Sequence, residues 1–333
     1  MRAFTIAVVL SFGSTLVAQV SPSPQHPTIK TRAPTSAIVL HETSRKSIAS
    51  EQGGAFMFPS KCDGDGNLYI RKYATDRPLL SPVVKIDSEG KRVALFDPAA
   101  FSQLKLDRAD AFEPAPDGGL YQIATVGITK PQPYVLRFSP DGSPEPPIRI
   151  DAEFHSYQFT PFANGNLLVS GVHRDPDRSA TGHPLTAVFS ADGRLLTKLN
   201  LKRSEPSVPV ADAEPGADGN IYAIRGSLPV LFYVISPTGD ILRKLRIPSP
   251  SSGAMPQTFH LSANRLAVSF WDDATDLQTF VITDTQTGRR IATYSDPGTL
   301  SPSFACYSAD EGVFTFLHLG EGNTLEVIRA EAR

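Results

Sequence analysis

Carboxylates and histidines recur in four segments that each lead into an apolar run. The segments are LDRADAFEP (106–114), AEFHSYQFTP (152–161), PVADAEP (209–215) and MPQTFHL (255–261). Glu113 and Glu214 stand at the same distance before the apolar run that follows them, and Asp110 and Asp212 lie close by. Carboxylates at such equivalent positions, together with His155, could bind a cation or act as an acid/base pair. The simpler interpretation, which we prefer, is that they hydrogen-bond exposed backbone or face solvent.

Two further features could contribute to a site. The segment GVHRDPDRSATGHP (171–184) contains His173 and could be a metal or binding loop, although a solvated or partner-contacting loop is the more ordinary interpretation. Trp271 could anchor a partner or a sugar, or pack between neighbouring structural units. The chain has no G-x-S-x-G, H-E-x-x-H, P-loop or convincing dinucleotide motif, so no catalytic residue and no metal ligand is assigned.

The elements that must position these residues repeat along the chain. Six similar stretches recur about every 50 residues, namely DGDGNLYI (63–70), PDGGLYQI (116–123), ANGNLLVS (163–170), ADGNIYAI (217–224), SANRLAVS (262–269) and ADEGVFTF (309–316). Asn-Gly and Asp-Gly pairs favour tight hairpin turns because the central residues adopt positive φ. A second strand–turn–strand pattern, such as VLRFSPDGS (135–143), lies inside most units. Each unit is therefore predicted to contain four strands, a to d.

Repeated four-stranded units predict an all-β fold, a six-bladed β-propeller of four-stranded antiparallel blades. The last unit ends before its strand d, and the segment 36–45 is a strand without a partner in the first unit. We expect this N-terminal strand to complete the last blade and close the ring. The alternative is an open ring or one with another number of blades.

The pattern P-x-D-G-x-[LIV]-[YL] resembles six-bladed propellers of the NHL-repeat, TolB-type and gluconolactonase-like group over residues 36–333. The resemblance implies the fold and, for the lactonase-like members, a divalent metal held in the channel by Glu, Asp and Asn side chains. In this chain most asparagines lie in or beside the a–b turns, on the other face from such a site: Asn67, Asn164, Asn166, Asn220 and Asn264. The lactonase ligand set is therefore not matched.

Ligands of propellers bind where loops surround the channel, and the longer d–a and b–c connections share one face. The candidate ligand-binding residues at that channel mouth are Asp110, Glu113, His155, Asp212, Glu214, His173 and Trp271. The sequence favours a binding scaffold for a protein, peptide or carbohydrate partner, with no cofactor. The alternative is a metal-dependent hydrolase or lactonase that uses Glu113, Glu214, Asp212 and His155 with Ca²⁺ or another divalent cation.

Two cysteines, Cys62 and Cys306, fall on strand a of the first and last units, which are neighbours in a closed ring. They could form a disulfide or remain two buried thiols. Cys62 stands one residue closer to its following strand than Cys306 does, and such an offset could separate their Cα atoms beyond bridging distance.

The N-terminus and the composition suggest where the protein works. Residues 1–18 have the basic start, apolar run and small-residue end of a cleaved signal peptide, the alternative being a buried strand. Residues 19–35 form a Pro- and Ser-rich lead-in, and 36–333 the single propeller domain. With 32 basic and 34 acidic residues, the net charge of −2 indicates neither nucleic acid nor anionic lipid as a partner. We expect a monomer without a membrane span, exported to the periplasm or beyond.

Overall fold

A computed structural model describes residues 37–48, 56–173, 183–201, 210, 212–225, 230–301, 303–320 and 324–332. The predicted signal peptide and lead-in, and residues 174–182 of the long loop, lie outside the described residues. None of the helical segments in the described part has the length and apolar character needed to cross a bilayer.

The described residues form an all-β structure of four-stranded antiparallel sheets. Blade 1 contains β2 (Phe56–Cys62), β3 (Leu68–Lys72), β4 (Val83–Ile86) and β5 (Arg92–Phe96). Blade 2 contains β6 (Arg108–Pro114), β7 (Leu120–Val126), β8 (Gln132–Phe138) and β9 (Pro144–Arg149). Blade 3 contains β10 (His155–Pro161), β11 (Leu167–His173), β12 (His183–Phe189) and β13 (Leu195–Lys198). Blade 4 contains β14 (Asp212–Pro215), β15 (Ile221–Arg225), β16 (Val230–Ile235) and β17 (Ile241–Ile247).

The remaining strands form one eight-stranded sheet rather than two separate blades. Its order is β18-β19-β20-β21-β1-β24-β23-β22. The strands are β18 (Ala254–Ser262), β19 (Arg265–Asp272), β20 (Leu277–Asp284), β21 (Arg290–Ser295), β1 (Ile38–Ile48), β24 (Leu325–Ala332), β23 (Val313–Leu319) and β22 (Ser303–Ser308). The two halves meet through two parallel residue pairs, Ile38 with Tyr294 and Val39 with Ser295. The sequence predicted six separate blades, and this edge contact is the reason that the structure has four separate blades and one double-sized sheet.

The N-terminal strand pairs where the sequence predicted. β1 runs antiparallel to β24 from Leu40 opposite Ala332 to Ile48 opposite Leu325. It supplies the fourth strand of the half that contains β22, β23 and β24, and it covers an edge of β24 that would otherwise be open.

The strands are arranged as a β-propeller around a central axis. The first strand of each blade or half contacts the first strands on either side of it, in the closed cycle β2, β6, β10, β14, β18, β22 and back to β2. The buried apolar residues form clusters that each span two neighbouring sheets or halves. Each sheet therefore packs face to face on the next, and the first strands line the axis.

The repeated Asp-Gly stretches are turns, as predicted. Asp63 Oδ1 accepts hydrogen bonds from the N–H groups of Asp65 (3.1 Å) and Asn67 (2.9 Å), and Gly66 has φ of +76°. Such side-chain caps and a residue at positive φ define tight turns. These turns between first and second strands, and those between third and fourth strands, lie on one face, which we call the turn face. The other connections lie on the opposite face, the loop face.

The two cysteines form a disulfide, with a Cα–Cα distance of 6.2 Å. They join β2 to β22, the first and last members of the cycle. Cys62 pairs with Leu68, one residue past Lys61, whereas Cys306 pairs with Thr315, one residue before Tyr307. Both cysteines belong to the apolar cluster between blade 1 and the half that contains β22, and the offset seen in the sequence does not prevent the bond.

Candidate functional site

A buried lysine lies among three carboxylates on the propeller axis. Lys61 Nζ is 3.5 Å from Glu113 Oε2, 3.4 Å from Asp212 Oδ1 and 3.6 Å from Glu214 Oε1. Lys61 belongs to β2, Glu113 to β6, and Asp212 and Glu214 to β14. Because β2 and β14 are three steps apart in the cycle of first strands, the lysine side chain crosses the axis. We call these four residues the Lys61 cluster.

Strand register brings the cluster together. Lys61, Glu113 and Glu214 are each the residue before the last of their strand, and they pair with Tyr69, Tyr121 and Tyr222 respectively. The matching positions on β10 and β22 are Thr160 and Tyr307. On β18, whose pairing with β19 extends one residue further to Ser262 and Arg265, the matching position is His260. One residue from each first strand therefore lies at the same level of the channel.

Hydrogen bonds connect the cluster to the neighbouring strands. The N–H of Leu261 donates to Glu214 Oε2 at 2.7 Å, and Gln158 Nε2 donates to Asp212 Oδ1. The Thr160 hydroxyl donates to the carbonyl of Ala213 at 3.0 Å. The channel is thus closed at this level by a network that includes side chains or backbone from β2, β6, β10, β14 and β18.

Burial controls the ionisation of the cluster. Lys61, Glu113 and Glu214 are only 6%, 4% and 6% exposed. Burial, and to a smaller extent the nearby Glu214 and Asp212, raise the pKa of Glu113 to about 8, although Lys61 opposes the shift. Burial alone would lower the pKa of Lys61, but the carboxylates of Asp212, Glu113 and Glu214 outweigh it, so that the Lys61 pKa is raised. The raised pKa of Glu113 favours its protonated form at neutral pH, and the raised pKa of Lys61 keeps the ammonium charged.

His260 borders the cluster as a neutral imidazole. Burial lowers its pKa, against the attraction of Glu214. Its Nδ1 accepts a hydrogen bond of 3.4 Å from the N–H of Tyr307, and only an unprotonated nitrogen can do so. His260 therefore connects β18 to β22 at the level of the Lys61 cluster.

The cluster does not fit a divalent metal. The ammonium group of Lys61 lies at ion-pair distance from all three carboxylates, in the place that a cation would take between them. Within the described ranges, no group of three or more His, Cys, Asp or Glu side chains has an arrangement that could hold a metal ion. Asn67 donates to Asp63 on the turn face, away from the axis. The residues that the lactonase-like alternative needs are thus either occupied by Lys61 or placed elsewhere.

Asp110 and His155 form part of a second polar group, near the starts of their strands. Arg108 Nε donates to Asp110 Oδ1 at 3.0 Å, and Arg71 donates to the backbone carbonyls of Ala109 (3.1 Å) and Asp110. The Arg108 guanidinium lies 6.0 Å from the centre of the Tyr157 ring. Burial raises the pKa of Asp110, whereas the hydrogen bond from Arg108 and the charge of His155 oppose the shift.

The predicted site residues therefore do not form one site, but lie in different parts of the structure. Glu113, Asp212 and Glu214 meet, and Asp110 and His155 lie together at the loop-face end of the channel. Trp271 is half-buried on β19 and pairs with Met255 and Gln278. His173 ends β11, but its side chain and the loop that follows it lie outside the described residues.

Sequence reasoning missed the lysine at the centre of the cluster. Lys61 stands before Leu68 at the same spacing as Glu113 before Leu120 and Glu214 before Ile221. The equal spacing therefore marks Lys61 as a channel-level residue, although it is a base and the other two are acids.

No protein-family model matches the chain, and no curated protein matches it. Among solved structures, it is similar to a protein of unknown function from Dyadobacter fermentans, with 14% identity and a TM-score of 0.52 over 88% of this chain and 99% of that one. It is also similar to the Pan2 WD40 domain of Neurospora crassa, with 9% identity and a TM-score of 0.48 over 91% of this chain and 98% of that one. These likenesses concern the fold. The strand arrangement itself, four-stranded sheets whose first strands contact one another in a closed cycle, identifies a β-propeller protein.

Proposed function

We propose that this chain is an exported six-bladed propeller that binds a protein partner through its loop face and has no catalytic role. In this proposal each half of the eight-stranded sheet is a blade. Two observations support the count: only two parallel residue pairs join the halves, and six first strands contact one another in a cycle. The relation to the NHL-repeat and TolB-type group is part of the same proposal.

The distribution of exposed apolar side chains carries the proposed binding role. Six large apolar residues with 36% to 76% exposure lie at the loop-face ends of strands or in the connections there: Tyr73, Leu79, Ile128, Tyr157, Met255 and Leu319. The other large apolar residues exposed in the described part lie on β1 or on the outer strands β5, β13, β17 and β21. The loop face thus carries six of the thirteen exposed large apolar side chains of the described part, and exposed apolar patches are typical of interaction surfaces.

The chemistry of this face favours a protein over a saccharide. Aliphatic side chains such as Leu79 and Ile128 offer no hydrogen bonds to sugar hydroxyls, but they do pack against apolar side chains of a partner. A protein partner would cover about 800 Å² on each side of a standard interface. A peptide or carbohydrate ligand remains an outcome that the experiment distinguishes.

The Lys61 cluster supports a scaffold rather than a metal-dependent hydrolase. A hydrolase would need carboxylates that are open to a metal or to a reacting proton. Here Glu113, Asp212 and Glu214 are already engaged by the lysine ammonium, and two of them are deeply buried.

The proposal also includes export of the protein. The disulfide supports export because such bonds persist in oxidising compartments. The test is the mass of the mature protein recovered from cells that make it. We expect cleavage after Ala18 and recovery outside the cytoplasm. Intact Met1 on the cytoplasmic protein would contradict export.

The test of binding compares captured proteins between matched variants. The full chain is immobilised and exposed to an envelope extract, beside Leu79→Ser/Ile128→Ser on the loop face and Val93→Ser/Leu242→Ser on outer strands. All four side chains are more than half exposed, so both double variants should fold alike. We expect a specific protein that the wild type and the outer-strand variant capture and the loop-face variant loses.

Two results would overturn the proposal. Capture that survives protease treatment of the extract and is inhibited by oligosaccharides would indicate a carbohydrate ligand. One tightly held Ca²⁺ or Zn²⁺ per chain in elemental analysis would favour the metal-dependent enzyme.

A further inference from the structure

A cavity of about 600 Å³ opens on the turn face between blades 2, 3 and 4. Pro114, Pro161 and Pro215 line it, and each directly follows the channel-level residue of its strand, Glu113, Thr160 or Glu214. The Lys61 cluster therefore separates this cavity from the loop-face end of the channel. Its volume lies within the range of about 300–1,000 Å³ typical of small-molecule sites.

The lining combines apolar surfaces with one cation. Besides the prolines, Tyr121, Ile148 and Ala191 contribute to the wall. Arg137 is the one charged side chain among the described residues of the lining. Its guanidinium pairs with Glu145 at 2.7 Å and is still partly exposed, since 38% of the side chain is open to solvent.

This composition fits a flat aromatic ligand that carries a negative charge. Proline rings offer rigid C–H surfaces, and a guanidinium both stacks on aromatic rings and forms paired hydrogen bonds to carboxylate or sulfonate groups. Ile148, Leu167 and Ala191 add aliphatic surface, and Tyr121 and Phe162 add aromatic surface.

We propose that the turn-face cavity binds a small aromatic anion, an aryl carboxylate or aryl sulfonate, with the ring against the prolines and the anionic group on Arg137. The site is separate from the loop face, so that it does not depend on partner binding there. A propeller with both sites would hold a protein partner on one face and a small ligand on the other.

The probe for this site is anilinonaphthalene sulfonate, an aromatic anion whose fluorescence rises in apolar surroundings. Titration of the full chain should give saturable binding of one probe per chain. Arg137→Gln should weaken binding about tenfold or more, because it removes a charge-assisted hydrogen bond to the anionic group. Ala191→Trp should abolish binding by filling the cavity, and an uncharged amide analogue of the probe should be insensitive to Arg137→Gln.

Two control variants make the result specific. Arg246→Gln removes an exposed arginine from β17 and should leave the affinity unchanged. Leu79→Ser/Ile128→Ser removes apolar surface from the loop face and should also leave it unchanged. The melting temperature of each variant must match that of the wild type, so that probe binding to partly unfolded chains is excluded. Absence of saturable binding, binding that survives Ala191→Trp, or binding lost in the loop-face variant would overturn the proposal.

Discussion

Lys61 Nζ and Asp212 Oδ1 lie 3.4 Å apart, although their strands are three steps from each other around the axis. A lysine side chain from β2 thus spans the channel to β14. Hydrophobic clusters hold each sheet only to its neighbours, whereas this contact joins strands across the ring.

Replacing Lys61 by methionine should destabilise the fold strongly. The variant keeps the apolar stem but leaves the carboxylates of Asp212 and Glu214 without their cation, and Glu214 is buried. Breaking a buried ion pair by removing one partner costs about 3–5 kcal/mol. Urea unfolding followed by tryptophan fluorescence measures the change.

Lys46→Met is the matched control, because Lys46 pairs with Glu89 at 3.3 Å on the surface. An exposed pair of this kind contributes only about 0–1 kcal/mol. Equal loss of stability in the two lysine variants would contradict the role given to Lys61.

Glu113 should make the protein less stable as the pH rises from about 5 to 8. Its pKa is raised from 4.5 to about 8 in the folded chain. Between these values the folded chain keeps a proton that the unfolded chain releases, so rising pH favours unfolding by at most about 1.4 kcal/mol per pH unit. Unfolding free energies of the wild type and Glu113→Gln, measured across this range, give the effect as a difference.

The comparison of wild type with Glu113→Gln is needed because His260 changes the stability with pH in the opposite direction. Its pKa is lowered in the folded chain, so its contribution to stability grows as pH rises toward its ordinary value near 6.5 and is complete above that value. Parallel pH profiles of wild type and Glu113→Gln would show that Glu113 does not carry the proton.

Removal of the N-terminal strand should destabilise the whole domain. A protein that begins at residue 49 lacks β1 and exposes the edge of β24 along eight residue pairs, from Leu40–Ala332 to Ile48–Leu325. We expect a large fall in melting temperature and concentration-dependent aggregation through the open edge. A protein that begins at residue 36 keeps β1 and should melt like the chain that begins at residue 19. Equal melting of all three forms would contradict the pairing.

Loss of the disulfide should lower stability without changing the fold. Cys62→Ala/Cys306→Ala removes a link between residues 244 positions apart. Native disulfides typically contribute about 2–5 kcal/mol. The melting temperature of the double variant should match that of the wild type in reducing agent. A stability unchanged by both treatments would show that the bond does not constrain the ring.

Much of the architecture was readable because turn chemistry repeats. The Asp-Gly-Asn stretches 65–67 and 218–220 each place a glycine at positive φ, and in both turns an aspartate side chain accepts a hydrogen bond from the N–H of the asparagine. Their recurrence predicted the strands on either side. The edge contact of Ile38 and Val39 with β21 was not predictable, since it depends on how far β1 extends beyond β24 and not on any turn.

The candidate site was predicted in part. Equal spacing correctly placed Glu113 and Glu214 at one level of the channel. Asp110 and His155 are also on first strands, but β6 and β10 carry irregularities between Ala109 and Phe112 and between Ser156 and Gln158. A bulge of this kind redirects side chains and is not visible in residue spacing. Lys61, which determines the charge of the cluster, was not among the predicted site residues, because these included no lysine.

The position of Lys61 also has a consequence for how the chain folds. Its partners Asp212 and Glu214 belong to blade 4, and Lys61 and Asp212 are 151 positions apart in the chain. In a partial ring of blades 1 to 3, Lys61 would have Glu113 as its one partner from the cluster. Cys62 would have no Cys306 with which to form the disulfide. Contacts so distant in sequence slow folding and form late. Intermediates with fewer blades are therefore penalised, so that the ring is expected to assemble as one cooperative unit rather than blade by blade.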